Sequence, residues 1–134
     1  MIHVAILHRR YLSLVLDGAK TVEARLLRVR CAPFGRVSAG ERVYLKRSGG
    51  PYAAAARARR VDHLEGLTPR AVRQLRDRWN HLVRGDDQFW RAAADARYAT
   101  LVWLDRVRPV TTGPRTPASN RRGWICLPDE EPPA

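Results

Sequence analysis

Apolar and polar positions along this chain switch between two periods, and the switches divide it into elements. Ile2–Leu7 (IHVAIL) is short, apolar and rich in β-branched residues, the pattern of a buried strand. From Arg9 the period lengthens. Tyr11, Leu14 and Val15 share one helical face, and Gly18 supplies a stop. Thr21–Leu26 (TVEARL) alternates, with Val22, Ala24 and Leu26 on the core side and Glu23 and Arg25 facing away from the core. Pro33 and Gly35 mark a turn. In the segment AGERVYLKR, Val43 and Leu45 face inward, with Arg42, Tyr44 and Lys46 opposite. The strand runs into Ser48-Gly49-Gly50-Pro51, a loop whose glycines permit close backbone approach.

The next segment, YAAAARARRVDHL, is ambiguous. Intrinsic propensity favours helix over Ala53–Ala58, whereas the alternation of Arg57 and Arg59 towards Val61 reads as a strand, and we take it as one. Thr68 and Pro69 then form an N-cap and first helical position, followed by Val72, Leu75, Trp79 and Leu82 at helical spacing. After Gly85, Asp86 caps a second, shorter helix. RYATLVWLDRVRPV is a long strand, TTGPRTPASNRR a loop, GWICLP a closing strand and DEEPPA a frayed acidic tail. This order suggests an α+β domain with a curved sheet or small barrel, formed by residues 1–128, with 129–134 as a disordered tail.

A chain of 134 residues is long enough for one core. It contains no run of the roughly 18 apolar residues that a membrane span needs. Cys31 and Cys126 form neither a disulfide framework nor a CxxC pair, so a cytoplasmic protein with reduced thiols is the plain expectation, and a monomer is expected. The histidines at 3, 8, 63 and 81 lack metal-ligand spacing, and no metal or cofactor is expected. His8, beside Arg9, is the one histidine worth considering for catalysis.

Charge changes the picture. The net charge is +12, and most of the excess lies in residues 1–60, which hold 13 Lys/Arg against 3 Asp/Glu. Basicity concentrated in part of a folded domain points to a polyanionic partner. RNA leads, with DNA or a nucleotide as alternatives, and a solvated basic face with no ligand is the bland one. Among 25 basic residues only Lys20 and Lys46 are lysine. Lysine is a compact ammonium whose pKa falls on burial, whereas a guanidinium is broad and permanently charged. The two lysines are therefore expected where arginine does not fit, converging on one pocket to contact phosphate or base oxygens. The competing explanation is survival by chance.

The segment ILHRRYLSLVLDGAKTVEARL resembles the opening of the activating-signal-cointegrator homology (ASCH) domain, whose hallmark is GxKxxExR. In this sequence that is Gly18, Lys20, Glu23 and Arg25. GERVYLKRSGGP resembles the family's strand and glycine loop, and NRRGWICL its closing strand. The resemblance implies a PUA-like small β-barrel with flanking helices, a cleft with the motif at its mouth, and RNA or DNA binding. For a few members it implies hydrolysis of RNA or of acetylated cytidine.

The expected nucleic-acid-binding wall is Lys20, Glu23, Arg25, Lys46, Arg47, Ser48, Gly49, Gly50, Arg121, Arg122 and Trp124. Glu23 and Arg25 either pair with each other or contact ligand, and the carboxylate could accept a cytosine amino proton. Trp124 is either a stacking platform beside Arg121 and Arg122 or a core residue. Trp79, Trp90 and Trp103 read as core, and Tyr11 and Tyr44 as candidate cleft aromatics. If the protein is an enzyme, Lys20 and Glu23 are the catalytic candidates. In the amidohydrolase branch a threonine stands three residues after the motif lysine; here that position is Glu23, which argues against that activity and leaves ribonuclease action open.

Overall fold

The computed structural model describes residues 1–117 and 123–129. These form a six-stranded sheet and three helices in the order β1 (Ile2–Leu7), α1 (Arg9–Leu16), β2 (Val22–Leu27), β3 (Arg42–Arg47), β4 (Tyr52–Glu65), α2 (Pro69–Val83), α3 (Asp87–Ala92), β5 (Tyr98–Pro109) and β6 (Trp124–Leu127). Across the sheet the strands run β2-β5-β4-β3-β1-β6. Only β1 and β3 pair in parallel. The two long strands β4 and β5 slip register near Ala55 and again near Ala58, and such bulges bend and twist a sheet. The result is a half-barrel, the small α+β, PUA-like barrel anticipated from the sequence.

Its strands bury side chains on both faces. Ala5, Leu7, Val43, Leu45, Ala54, Ala56, Ala58, Val102 and Leu104 fill the barrel interior, closed by Leu12 and Val15 of α1. This explains why an alanine run adopts a strand against its helix propensity. Alternate alanines leave room at the crowded centre of a tightly curled sheet, and packing decides. On the far side of β2 and β5, Val22, Ala24, Leu101 and Trp103 pack under α2 and α3 through Val72, Val83 and Trp90. A third cluster, including Ile2, Val4, Tyr44, Ala55 and Ile125, covers part of the outer face of β1, β3, β4 and β6. Tyr44 is therefore core, not a cleft aromatic.

Both helix starts behave as their sequences suggest. Thr68 Oγ1 accepts the Ala71 amide at 3.1 Å with Pro69 at the first position, and Asp86 accepts the Phe89 amide at 2.7 Å. In α1, Leu12 rather than Leu14 is buried beside Val15. Gly18, at φ 86°, turns the chain from α1 towards β2. Among the described residues no helix is long and apolar enough to cross a membrane, and no group of three His, Cys, Asp or Glu side chains could hold a metal ion.

Candidate nucleic-acid site at the barrel seam

Gly18 and Lys20 of the motif lie in the connection from α1, and the strand β2 carries Glu23 and Arg25; its two faces do not divide as buried and exposed. Val22 and Ala24 face the helices α2 and α3. Glu23 stands opposite Val102 in the β2–β5 ladder and so faces the barrel interior with it. The expectation that Glu23 points away from the core is therefore corrected: it is only 6% exposed. A half-buried-strand reading fails here because β2 is covered on one face by helices and on the other by the barrel.

Glu23 forms part of a pocket of about 220 Å³. Ile6, Leu7 and His8 at the end of β1, Tyr11 of α1, Lys20, Ala24 and Arg25, and Val83, Gly85 and Phe89 from the α2–α3 junction complete its lining. Each charged group is held in a defined way. Lys20, 3% exposed, donates to the carbonyls of Val22 at 2.7 Å and Val83 at 2.6 Å. Val83 ends α2, where the helix dipole favours a cation. Burial pushes the Lys20 pKa down from its usual value near 10.5, and the neighbouring Glu23 carboxylate opposes that shift.

Glu23 Oε1 accepts the Ala24 amide at 3.1 Å and lies 3.7 Å from Lys20 Nζ and 3.8 Å from Arg25 Nε. Its other oxygen, Oε2, is buried and has no hydrogen-bond partner among the described residues. Arg25 spans the open seam of the half-barrel: Nη1 donates to Gly123 O at 2.8 Å and Nη2 to Ile6 O at 2.9 Å. The guanidinium also lies over the Trp124 ring, 5.5 Å from its centroid. Gly123 is needed for this approach, because a Cβ there would stand 2.5 Å from Arg25 Nη1.

The remaining expected site residues divide. Lys46 does not line this pocket; its ammonium donates to Gly50 O at 2.7 Å and closes the β3–β4 turn. Arg47, Ser48, Gly49 and Gly50 form that turn and do not line the pocket either. Gly49 is required by φ 67°, and the space at Gly50 is taken by the stem of Arg47. The two lysines therefore do not converge, and each satisfies nearby backbone carbonyls instead. Trp124 is core: it is 2% exposed and its Nε1 donates to His3 Nδ1 at 3.0 Å. Arg121 and Arg122 lie outside the described residues.

Tyr11 and His8, raised as minor candidates, do line the pocket. Phe89, Val83 and Gly85 were missed as site residues. Their sequence signal was helical punctuation, which does not say that the α2–α3 junction folds back onto a motif more than sixty residues earlier. The Lys20–Val83 hydrogen bond makes that connection. The geometry offers apolar and aromatic walls, a buried carboxylate oxygen with a free lone pair, and cations turned aside onto backbone. That suits the polar edge of a flat, largely apolar ring better than a phosphate.

No family model matches this chain, and no curated protein matches it significantly. Solved structures do. The ASCH protein from Zymomonas mobilis superposes with a TM-score of 0.68 at 15% identity, covering 96% of this chain and 88% of that one. A point mutant of the same protein gives 0.66 at 17% identity, covering 96% and 91%. A hypothetical protein matches at a TM-score of 0.51 and 13% identity, over 82% of this chain and all of that one. With the Zymomonas mobilis structures aligned along nearly its full length, the chain has an ASCH-like fold.

Proposed function

We propose that this protein binds single-stranded RNA and takes one unstacked, amino-bearing base into the seam pocket. The observation that carries the reading is Glu23 Oε2, a buried oxygen without a partner among the described residues, in a pocket walled by Tyr11 and Phe89. A buried acceptor left empty is costly, and an exocyclic amino group of cytosine or adenine would satisfy it. Sequence-specific RNA recognition commonly splays single bases out of the strand and holds them against aromatic rings. The PUA-like fold is compatible with this, and the net charge of +12 favours a polyanion.

The test compares single-stranded oligonucleotides differing at one base, with wild type and Glu23→Gln. Cytosine- or adenine-containing strands should bind tighter than the uracil equivalent, and Glu23→Gln, which replaces one acceptor oxygen by a donor, should erase or invert the order. Equal affinity for all bases in both proteins would sink the reading. A rival reading, hydrolysis of RNA or of a modified nucleoside, would use His8 or Glu23 to activate water, since among the described residues the pocket lining includes no hydroxyl or thiol nucleophile besides the Tyr11 phenol. Product formed from labelled RNA or acetylcytidine, and lost on Glu23→Gln, would favour it.

A further inference from the structure

The outer face of the sheet carries a second basic feature, away from the seam. Arg42, Arg57, Arg106 and Arg108 line a hollow of about 240 Å³ over Ala55 and Ala56. Three observations set it apart from the general abundance of arginine. Arg42 and Arg57 stand directly opposite each other in the β3–β4 ladder, a like-charge pair that disfavours the sheet. Among the described residues no carboxylate lies within 4 Å of any of the four; Asp105, opposite Arg57, is not an exception. Among the described residues the one hydrogen bond that restrains a guanidinium of the group is from Arg57 Nη1 to Gly40 O at 3.1 Å.

The third observation is backbone strain. Arg106 has φ 52°, in the left-handed region that side chains with a Cβ avoid. It sits where β5 slips register against Ala55 and Arg57, and a bulge of this kind re-aims a side chain. Regular alternation after Leu104, which packs inside, would turn residue 106 inward; the bulge leaves it exposed and lining the hollow. A strained residue that brings a fourth like charge to three others is unfavourable in the free protein and favourable once an anion is bound.

We propose that this arginine quartet is a second anion site that grips backbone phosphates of the same nucleic-acid strand whose base enters the seam pocket. The inference rests on the RNA reading above. Arg42 pairs with Ile2 at one end of β1, whereas the seam pocket begins at Ile6, about 13 Å further along the strand at roughly 3.3 Å per residue. The two sites also lie on different faces of the sheet. A trinucleotide can fill the pocket without reaching the quartet, and a longer strand can curl round the sheet edge to engage both.

The experiment measures wild type, Arg42→Gln/Arg108→Gln and Arg106→Gly against a trinucleotide and a single strand of about 20 nucleotides over a range of salt. The double variant should bind the trinucleotide as wild type does and the long strand at least tenfold more weakly. Its log affinity against log salt should be shallower by about 0.7 for each phosphate that the variant no longer neutralises. Arg106→Gly should weaken the long strand too while its Tm stays at or above wild type, because glycine accepts φ 52°; a structural role for Arg106 would lower Tm instead. Unchanged long-strand affinity and salt slope in both variants would overturn the quartet and leave the pocket reading standing. Long-strand binding that depends on the quartet, with no trinucleotide binding by any protein, would support the quartet and overturn the pocket. Wild type binding neither RNA would overturn both.

Discussion

Lys20 Nζ and Glu23 Oε1 lie 3.7 Å apart in the pocket wall, beyond hydrogen-bonding distance, although both side chains are almost fully buried. The ammonium is satisfied by two carbonyls, so Glu23 serves as its counter-charge without accepting its protons. That division leaves Glu23 Oε2 unbonded and accounts for the lysine: three compact donors fit a corner that a flat guanidinium would overfill.

Removing the counter-charge should therefore cost more than removing a surface ion pair. Glu23→Ala leaves a buried ammonium uncompensated and should destabilise the fold by about 3–5 kcal/mol. Lys20→Arg keeps the charge and overpacks the corner, with an expected loss of about 1–3 kcal/mol. Urea unfolding of both variants checks this. Losses below about 0.5 kcal/mol would show the pair to be open to water.

At the seam, Gly123→Ala should act through Arg25 rather than through its own backbone. The added methyl would meet Nη1, displacing the guanidinium from Gly123 O and Ile6 O. The expected loss is about 1–3 kcal/mol, comparable to Arg25→Lys, which cannot fork across both carbonyls. Combining the two should cost little more than either alone, and a double-mutant cycle reads this out. Full additivity would mean that Gly123 and Arg25 act independently.

The pocket aromatics make a prediction about ligand. Tyr11→Ala and Phe89→Ala each remove a wall, and stacking on one base is worth about 1–3 kcal/mol of single-strand affinity. Tyr11→Phe keeps the ring and should bind within about twofold of wild type, if the ring face matters and the hydroxyl does not. Fluorescence anisotropy with a labelled oligonucleotide separates the cases; equal losses for Ala and Phe would assign the contribution to the hydroxyl.

Most of the element order could be read in the sequence, because it was written in local signals: Thr68-Pro69, Asp86, Gly18 and the alternation of TVEARL. What was not legible is how strands seal against one another. Glu23 alternates like a solvent-facing residue, and only the closure of the barrel turns that face inward. Lys46 lies beside a glycine loop in sequence and next to Ile6 in the sheet, yet its tip folds back onto Gly50. Phe89 and Val83 join the pocket through a contact between distant parts of the chain, for which a single sequence holds no local signal.

His3 should make stability depend on pH in a window of its own. It is fully buried, and Nδ1 accepts the Trp124 indole proton, so its own proton sits on Nε2 and is donated to Glu41 Oε1 at 2.9 Å. Protonation would set two donors against each other at Nδ1. Burial holds the His3 pKa below its usual value near 6.5, while the hydrogen bond and charge of Glu41 work in the other direction. As pH falls through about 6.5 the unfolded chain takes up a proton that the folded protein refuses, so stability is full above that value and declines steadily below it. Glu41 is itself held below its usual 4.5: burial would raise it, and the hydrogen bonds from His3, the terminal amine and the Ser38 amide outweigh that, so its loss of stability falls at more acid pH. Tm measured between about pH 7.5 and pH 5 should fall for wild type. The slope should be smaller for His3→Gln, which can keep both hydrogen bonds and cannot titrate. Identical slopes would assign the acid sensitivity to another group.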